Sequence, residues 1–316
     1  MKILITGGAG YVGSHVALEA LLAGHEVCIY DNYRNSVPRV GHFLGSMGAQ
    51  VVVADILDQT TLGQTFKTFR PDMVIHMAGL KRVDESQDIP LEYHRANVVG
   101  TLNVLTAMEN ADVGKLVFSS SAAIYAESSY AVREEDKIAP KSVYGQTKVI
   151  CERMISDYAA TGRIDAVSLR YFNPVAAHPM LPERRSATLM GVVTAVAAGR
   201  LPKLTIYGDG TAVRDFVHVR DVAAAHLFAI PLGGHAVYNV GTGKGTSVMD
   251  LVIHMEQVIR RDLPKEFVEP RKEDIHHSVA NCNLINRETG WKSTRSVEEM
   301  CRDAWEAESL RLSSER

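Results

Sequence analysis

The chain has 316 residues, 46% of them hydrophobic and 22% charged, and a net charge of −3. That is the composition of a globular protein large enough for two domains, or for one domain with an added lobe, and without a basic block it argues against nucleic acid as a partner. Cys28, Cys151, Cys282 and Cys301 have neither CxxC nor CxxH spacing, which argues against a disulfide framework and a zinc site.

The start, MKILITGGAG, runs directly into a strand and a glycine turn, with no apolar stretch of signal-peptide length. Five short apolar runs follow one another: KILIT (2–6), VCIYD (27–31), VVVAD (51–55), MVIHM (73–77) and KLVFSS (115–120). Segments with helical periodicity separate or follow them at 11–23, 58–69, 91–110 and 143–160. Strands apolar on both faces and separated by helices predict an α/β fold, a doubly wound parallel sheet covered on both sides. DAVSLRY (165–171) adds a sixth strand and AVYNVG (236–241) a seventh.

Past Phe172 the punctuation changes. NPVAAHPMLPERRS (173–186) holds three prolines and reads as an irregular loop, followed by a helix (187–199), a strand (KLTIYG, 203–208) and a GDG turn. The expected division is a dinucleotide-binding domain over 1–174, which the late strand rejoins, and a smaller lobe over 175–316. The site is expected in the cleft between them, at the carboxyl ends of the strands. The most apolar late run, MGVVTAVAAG (190–199), is too short to span a membrane, and a reducing cytoplasmic location is expected.

TGGAGYVG after the first strand spaces Gly7, Gly10 and Gly13 as GxxGxxG, a tight turn that aims the N–H groups of the next helix at a pyrophosphate. Asp31, ending the second strand, stands where a carboxylate meets the adenosine ribose diol and repels a 2′-phosphate. NAD is expected rather than NADP, with Arg34 the feature that counters the preference. Asp55, at the third strand's end, either accepts from the adenine amine or caps the strand.

SVYGQTK places Tyr144 and Lys148 four apart on one helix face, just beyond a strand ending in Ser119, Ser120 and Ser121. A tyrosine acting as base near neutrality needs its pKa brought down from about 10, roughly 4 kcal/mol of preferential phenolate stabilisation. A nearby ammonium, with the positive charge of oxidised nicotinamide, is a perturbation of that kind.

With TGGAGYVGSH, IHMAGLKRVDES, PLEYHRANVVGT, FSSSAAIY, YGQTK, RYFNPVAAHP, VRDFVHVRD and NVGTG in this order, the chain resembles the UDP-glucose (UDP-galactose) 4-epimerase family of extended short-chain dehydrogenases/reductases. The resemblance runs from residue 1 to about residue 300. It implies hydride transfer from sugar C4 to a retained NAD, a transient 4-ketose that turns over, and return of the hydride to the opposite face. Tyr144 would be the base, Lys148 would hold the nicotinamide ribose and lower the tyrosine pKa, and Ser121 would bond the reacting hydroxyl. It assigns Gly7, Gly10, Tyr11, Val12, Gly13, Asp31, Asn32, Asn35, Ser36, Asp55, Ile56, Met77, Ala78, Gly79, Lys81, Asn97, Ser119, Tyr144, Lys148 and Tyr171 to NAD. To the nucleotide sugar it assigns Lys81, Ser121, Ala122, Tyr144, Asn173, Thr188, Leu189, Arg214, Arg271 and Asp274. It also implies a homodimer through the helices at 91–110 and 143–160, whose apolar faces could instead be internal.

Read alone, each of these arginines is a surface salt bridge, and His178, His218, His276 and His277 are structural rather than metal ligands. Three features depart from the family: no insertion within YGDGTAVRDF, Thr188 where an asparagine is common, and Ser278 where a bulky residue can limit the sugar pocket. A small residue at 278 suggests room for a 2-acetamido group. Ala122 and Ala123, following Ser121, provide no carboxylate for a dehydratase. Other nucleotide-sugar epimerases or dehydrogenases, and a non-catalytic NAD sensor, are the alternatives.

Overall fold

The computed structural model describes residues 1–178, 181, 188–270 and 275–314. Two compact units divide the chain: Met1–Ala126 with Lys137–Tyr171 and Ala223–Tyr238, and Glu127–Asp136 with Phe172–Val222 and Asn239–Arg316. The division expected after residue 174 falls after Tyr171, and each unit also takes a segment from the other's stretch of sequence.

In the first unit β1 (Lys2–Thr6), α1 (Tyr11–Leu22), β2 (Glu26–Asp31), α2 (Pro38–Ser46), β3 (Gln50–Val53), α3 (Gln59–Phe69) and β4 (Met73–His76) alternate along the chain. After them come α4 (Val83–Asp88), α5 (Pro90–Tyr93), a π-helix (His94–Val99), α6 (Gly100–Asn110), β5 (Lys115–Ser121), α7 (Val143–Ala159) and β6 (Asp165–Tyr171). The sheet order is β3-β2-β1-β4-β5-β6 followed by His235–Val240, and β1 to β6 pair in parallel throughout. This is the doubly wound order, which reverses between β1 and β4 and so opens a crevice beyond their carboxyl ends. Ile3, Leu4 and Ile5 of β1 are fully buried, the result of helices covering both faces of the sheet. Leu4, Val74 and Leu116 pack with Phe66, Met108 and Ile155 from α3, α6 and α7 in one core. Truncating such a side chain to alanine costs about 2–5 kcal/mol.

Capping explains where two helices begin. Asp58 accepts from the Thr60 and Thr61 N–H groups at the start of α3, and Ser142 Oγ accepts from Gly145 N–H at the start of α7. The stretch expected as one helix over 91–110 is broken: a short α-turn and a π-helix precede α6. Periodicity does not reveal that break, because a tertiary bond from Asn97, described below, favours it.

The second unit is built from short strand pairs and helices. Asn173–Val175 pairs in parallel with Phe216–His218, so the expected loop begins with a strand. Leu204–Tyr207 pairs with Lys265–Val268 in parallel, and Val213–Arg214 lies between Thr246–Ser247 and His277–Ser278. Val193, Phe216, Leu251, Met255 and Met300 form its core, with helices Leu189–Ala197, Val248–Ile259 and Val297–Ser314 packed around them. Among the described residues, no helix is long and apolar enough to cross a membrane. No group of three or more His, Cys, Asp or Glu residues among them is arranged to hold a metal ion.

Candidate active site

The glycine turn after β1 is set by close approach. Gly7 has φ +71°, and a Cβ there would lie 2.7 Å from Ala78 N. A Cβ on Gly13 would lie 2.1 Å from the Gly7 carbonyl oxygen, so α1 can start against the turn only with glycine at 13. Gly10 stands at the N-cap without a side chain to bond the first-turn N–H groups, an arrangement that suits an anion. A cavity of about 580 Å³ opens here, between this turn, the ends of β2 and β3, and the segment 77–81. A dinucleotide fits these residues: the cradle that a Cβ would fill lies beside carboxylates of ribose-binding type.

At the β2 end, buried Asp31 accepts from Ala9 N–H (3.0 Å), Tyr33 N–H (2.8 Å) and the Ser36 hydroxyl (2.7 Å). Its carboxylate thus ties the glycine turn to the loop after β2 and keeps acceptor capacity toward the cavity. Asp55 accepts from Leu57 N–H (2.9 Å), as the expected cap does, and from Asn32 Nδ2 (2.7 Å), and it lines the cavity. Arg34, the residue that countered the NAD preference, is paired with Glu92 of α5. Its charge is therefore balanced within the protein.

Of the residues assigned to NAD, all but Asn97, Ser119, Tyr144 and Lys148 line the cavity. Asn97 is buried in the π-helix and acts as a clamp. Its Oδ1 accepts from Leu80 N–H (2.7 Å), and its Nδ2 donates to Leu80 O (3.0 Å) and Thr147 Oγ1 (2.9 Å). One side chain so joins the cavity-lining loop to α7, in a π-helical turn of the sort often found at functional sites. Lys81 Nζ lies 5.5 Å from the centre of the Tyr11 ring, at the glycine turn.

Tyr144 and Lys148, one turn apart on α7, are both buried. Tyr144 bonds the Ser121 hydroxyl, whose oxygen also accepts from Ala123 N–H at 3.2 Å. Lys148 Nζ donates to Ser119 O at 2.7 Å and stands 4.6 Å from the centre of the Phe118 ring. Burial is the largest influence on Tyr144 and pushes its phenol up, while the Ser121 hydroxyl acts in the opposite direction. The lowering expected from Lys148 is thus not the dominant effect in the protein alone, because the ammonium is directed at a carbonyl of β5. Tyr171, ending β6, lines the cavity and bonds Ser119, so it connects the dinucleotide cavity to this cluster.

Several supporting residues escape a reading of the sequence. His226 Nε2 stands 2.9 Å from Ser119 Oγ across 107 residues of chain. Glu152 pairs with Arg170 (2.7 Å), whose Nη1 donates to Tyr125 OH at 2.9 Å. Glu152 alone carries a local signal, its position four residues after Lys148.

The residues assigned to substrate beyond β6 lie in the second unit. Asn173 donates through its backbone (3.0 Å) and its Nδ2 (3.3 Å) to Asp215 O. Arg214 Nη1 donates to Val213 O at 3.0 Å, and Thr188 Oγ1 accepts from Gly191 N–H at 3.2 Å as the cap of the helix that Leu189 begins. Ala122 follows Ser121 in a short 3₁₀ turn. Arg271 and Asp274 lie outside the described residues.

Residues 3–241 match the NAD dependent epimerase/dehydratase family. A UDP-glucose 4-epimerase of Dictyostelium discoideum is 39% identical over 98% of this chain and 96% of its own length. Among solved structures, a UDP-glucose-4-epimerase from Stenotrophomonas maltophila, with bound NAD and formylated UDP-arabinopyranose, superposes with a TM-score of 0.95. It shares 38% identity over 99% of each chain. The UDP-Glc/GlcNAc 4-epimerase from Campylobacter jejuni gives a TM-score of 0.86 at 32% identity, covering 98% of this chain and 99% of that one. The chain belongs to the NAD dependent epimerase/dehydratase family and, within it, to the UDP-glucose 4-epimerases.

Proposed function

We infer that the protein is an NAD-dependent nucleotide-sugar 4-epimerase. The observation that carries this is the continuity, through Tyr171, from a dinucleotide cavity to a buried Ser121–Tyr144–Lys148 cluster. The glycine turn, Asp31 and the 77–81 loop would hold NAD, which would supply the hydride acceptor and donor at sugar C4. Tyr144, as phenolate, takes the proton of the C4 hydroxyl and later returns it. Ser121 donates to the same oxygen and holds it over the end of β5. Lys148 places a positive charge beneath the reacting groups and favours phenolate. Ala122 and Ala123 place no acid beside them, which disfavours elimination of water. Both the tyrosine and its lysine are present and buried, which disfavours a non-catalytic sensor.

Asn173, Arg214, Thr188 and Leu189, with Arg271 and Asp274, are proposed to hold the nucleotide sugar, with the second unit as the substrate lobe. Ser278 pairs in register with Arg214 in adjacent strands, which puts it next to a residue proposed to hold the nucleotide sugar. UDP-glucose and UDP-galactose are the proposed pair, with the N-acetylated pair also accepted because Ser278 is small. Proton NMR of purified protein with UDP-galactose and with UDP-N-acetylgalactosamine, without added NAD, should show both gluco products. Ser278→Tyr should lower turnover of the acetamido sugar about tenfold or more and change the other roughly threefold at most. Equal loss on both sugars would remove Ser278 as the discriminator.

A homodimer is proposed through the surface on which Val99, Leu102 and Ile150 are exposed, on the π-helix, α6 and α7. Sedimentation of the protein would test it. A cytoplasmic setting accords with the four free cysteines.

A further inference from the structure

Lys148 has 6% exposure, its hydrogen bond goes to a neutral carbonyl, and burial pushes its ammonium down from the usual lysine range. Among the described residues no carboxylate lies within 4.0 Å of it. Buried charges in such surroundings are costly unless a counter-charge acts on them. The groups facing it can be named by element. His76 on β4 is kept neutral by burial, its pKa pushed down to about 3. Phe118 and Ser119 on β5 carry no charge. On α7, Tyr144 is protonated in the resting protein, and burial keeps the Cys151 thiol protonated. On β6, Tyr171 is neutral and Arg170 is bonded to Glu152. Among these groups Glu152 is the one carboxylate, and its charge is shared between Arg170 and the face of α7 that carries Lys148.

Glu152 lies one helical turn beyond Lys148 on the same face of α7, with 8% exposure. Its carboxylate accepts from the Ser120 hydroxyl on β5 and from Arg170 Nε (3.0 Å) and Nη2 (2.7 Å) on β6. Consecutive residues of β5 therefore hold consecutive turns of α7: Ser119 O takes Lys148, and Ser120 Oγ takes Glu152. We propose that Glu152 is a positioning residue that locks α7 against β5 and β6 and supplies the counter-charge that keeps Lys148 protonated. The catalytic part of this inference rests on the epimerase reading; the charge of Lys148 does not.

The experiment is an NMR titration of the protein with lysine labelled with carbon-13 at Cε, the Lys148 signal being identified by its loss in Lys148→Met. Glu152→Gln should move the Lys148 midpoint down by about one pH unit, and Glu152→Asp, which keeps the charge, by less than half of that. The alkaline limb of kcat should move with it. If Glu152→Gln does not fold because Arg170 is left unpaired, Glu152→Met with Arg170→Met removes both partners; because a cation goes with the carboxylate, the midpoint should still move down but by less than about one unit. An unmoved midpoint in the folded variant overturns the proposal. A moved midpoint with an unmoved alkaline limb overturns its catalytic part. A parent protein without turnover but with the midpoint shift would instead count against the epimerase reading alone.

Discussion

Tyr144→Phe is expected to lower kcat about a thousandfold, within the 10²–10⁴ range of general acid–base catalysis, while NAD content and fold stay unchanged. The phenol oxygen is the only atom removed, and the ring keeps its place against Leu80 and Tyr93. Tyr144 does not line the dinucleotide cavity, so the variant should retain its cofactor. Burial, with a smaller contribution from Cys151, pushes the phenol up, so the residual pH dependence is informative. The parent should gain activity as pH rises through the Tyr144 ionisation, and the variant should lose that acid limb. A steady-state pH profile of both proteins, with the cofactor measured after denaturation, checks all three statements. A variant with near-parent kcat would assign the proton to another group.

The second large effect is at the opposite end of the cavity. Gly13→Ala should deplete bound NAD at least about tenfold, equivalent to 1.4 kcal/mol or more, and should lower the melting temperature. Alanine is ordinarily the better residue within a helix, by about 1 kcal/mol. Here its Cβ would stand 2.1 Å from the Gly7 carbonyl and 3.0 Å from Gly8 Cα, which is backbone that cannot swing aside. The start of α1 would have to move away from the turn, taking its first-turn N–H groups from the pyrophosphate position. Absorbance of released dinucleotide and a thermal melt measure both consequences. A variant that melts and binds like the parent would show that the close approach of Gly13 and Gly7 is not required.

Which features can be read from the sequence follows from the range of the forces that shape them. The strands of the first unit are legible because burial on both faces leaves continuous apolar runs such as KILIT, and the turn is legible because only glycine permits it. Tyr144 and Lys148 share a helix, so their four-residue spacing alone puts them on one face. The π-helix is not legible, since its stabilising bonds join Asn97 to Leu80 and Thr147, 17 and 50 residues away. His226 at Ser119 and Arg170 at Glu152 are likewise products of tertiary folding. Arg34 shows the same limit: its position near Asp31 can be read, but its pairing with Glu92 cannot. In the second unit Leu204–Tyr207 is legible as KLTIYG, but the other strands are only two to four residues long, too short for alternation to identify them.

The central claim is that one site removes hydride from sugar C4 and gives it back, with Tyr144 handling the proton. The most direct measurement is turnover of UDP-galactose deuterated at C4, followed by proton NMR and mass spectrometry of the gluco product. Retention of the deuterium at C4, with none in solvent and no accumulation of free reduced cofactor, is the predicted result. Deuterium lost to solvent, a 4-keto or dehydrated product released in stoichiometric amount, or no reaction with NAD supplied would contradict it.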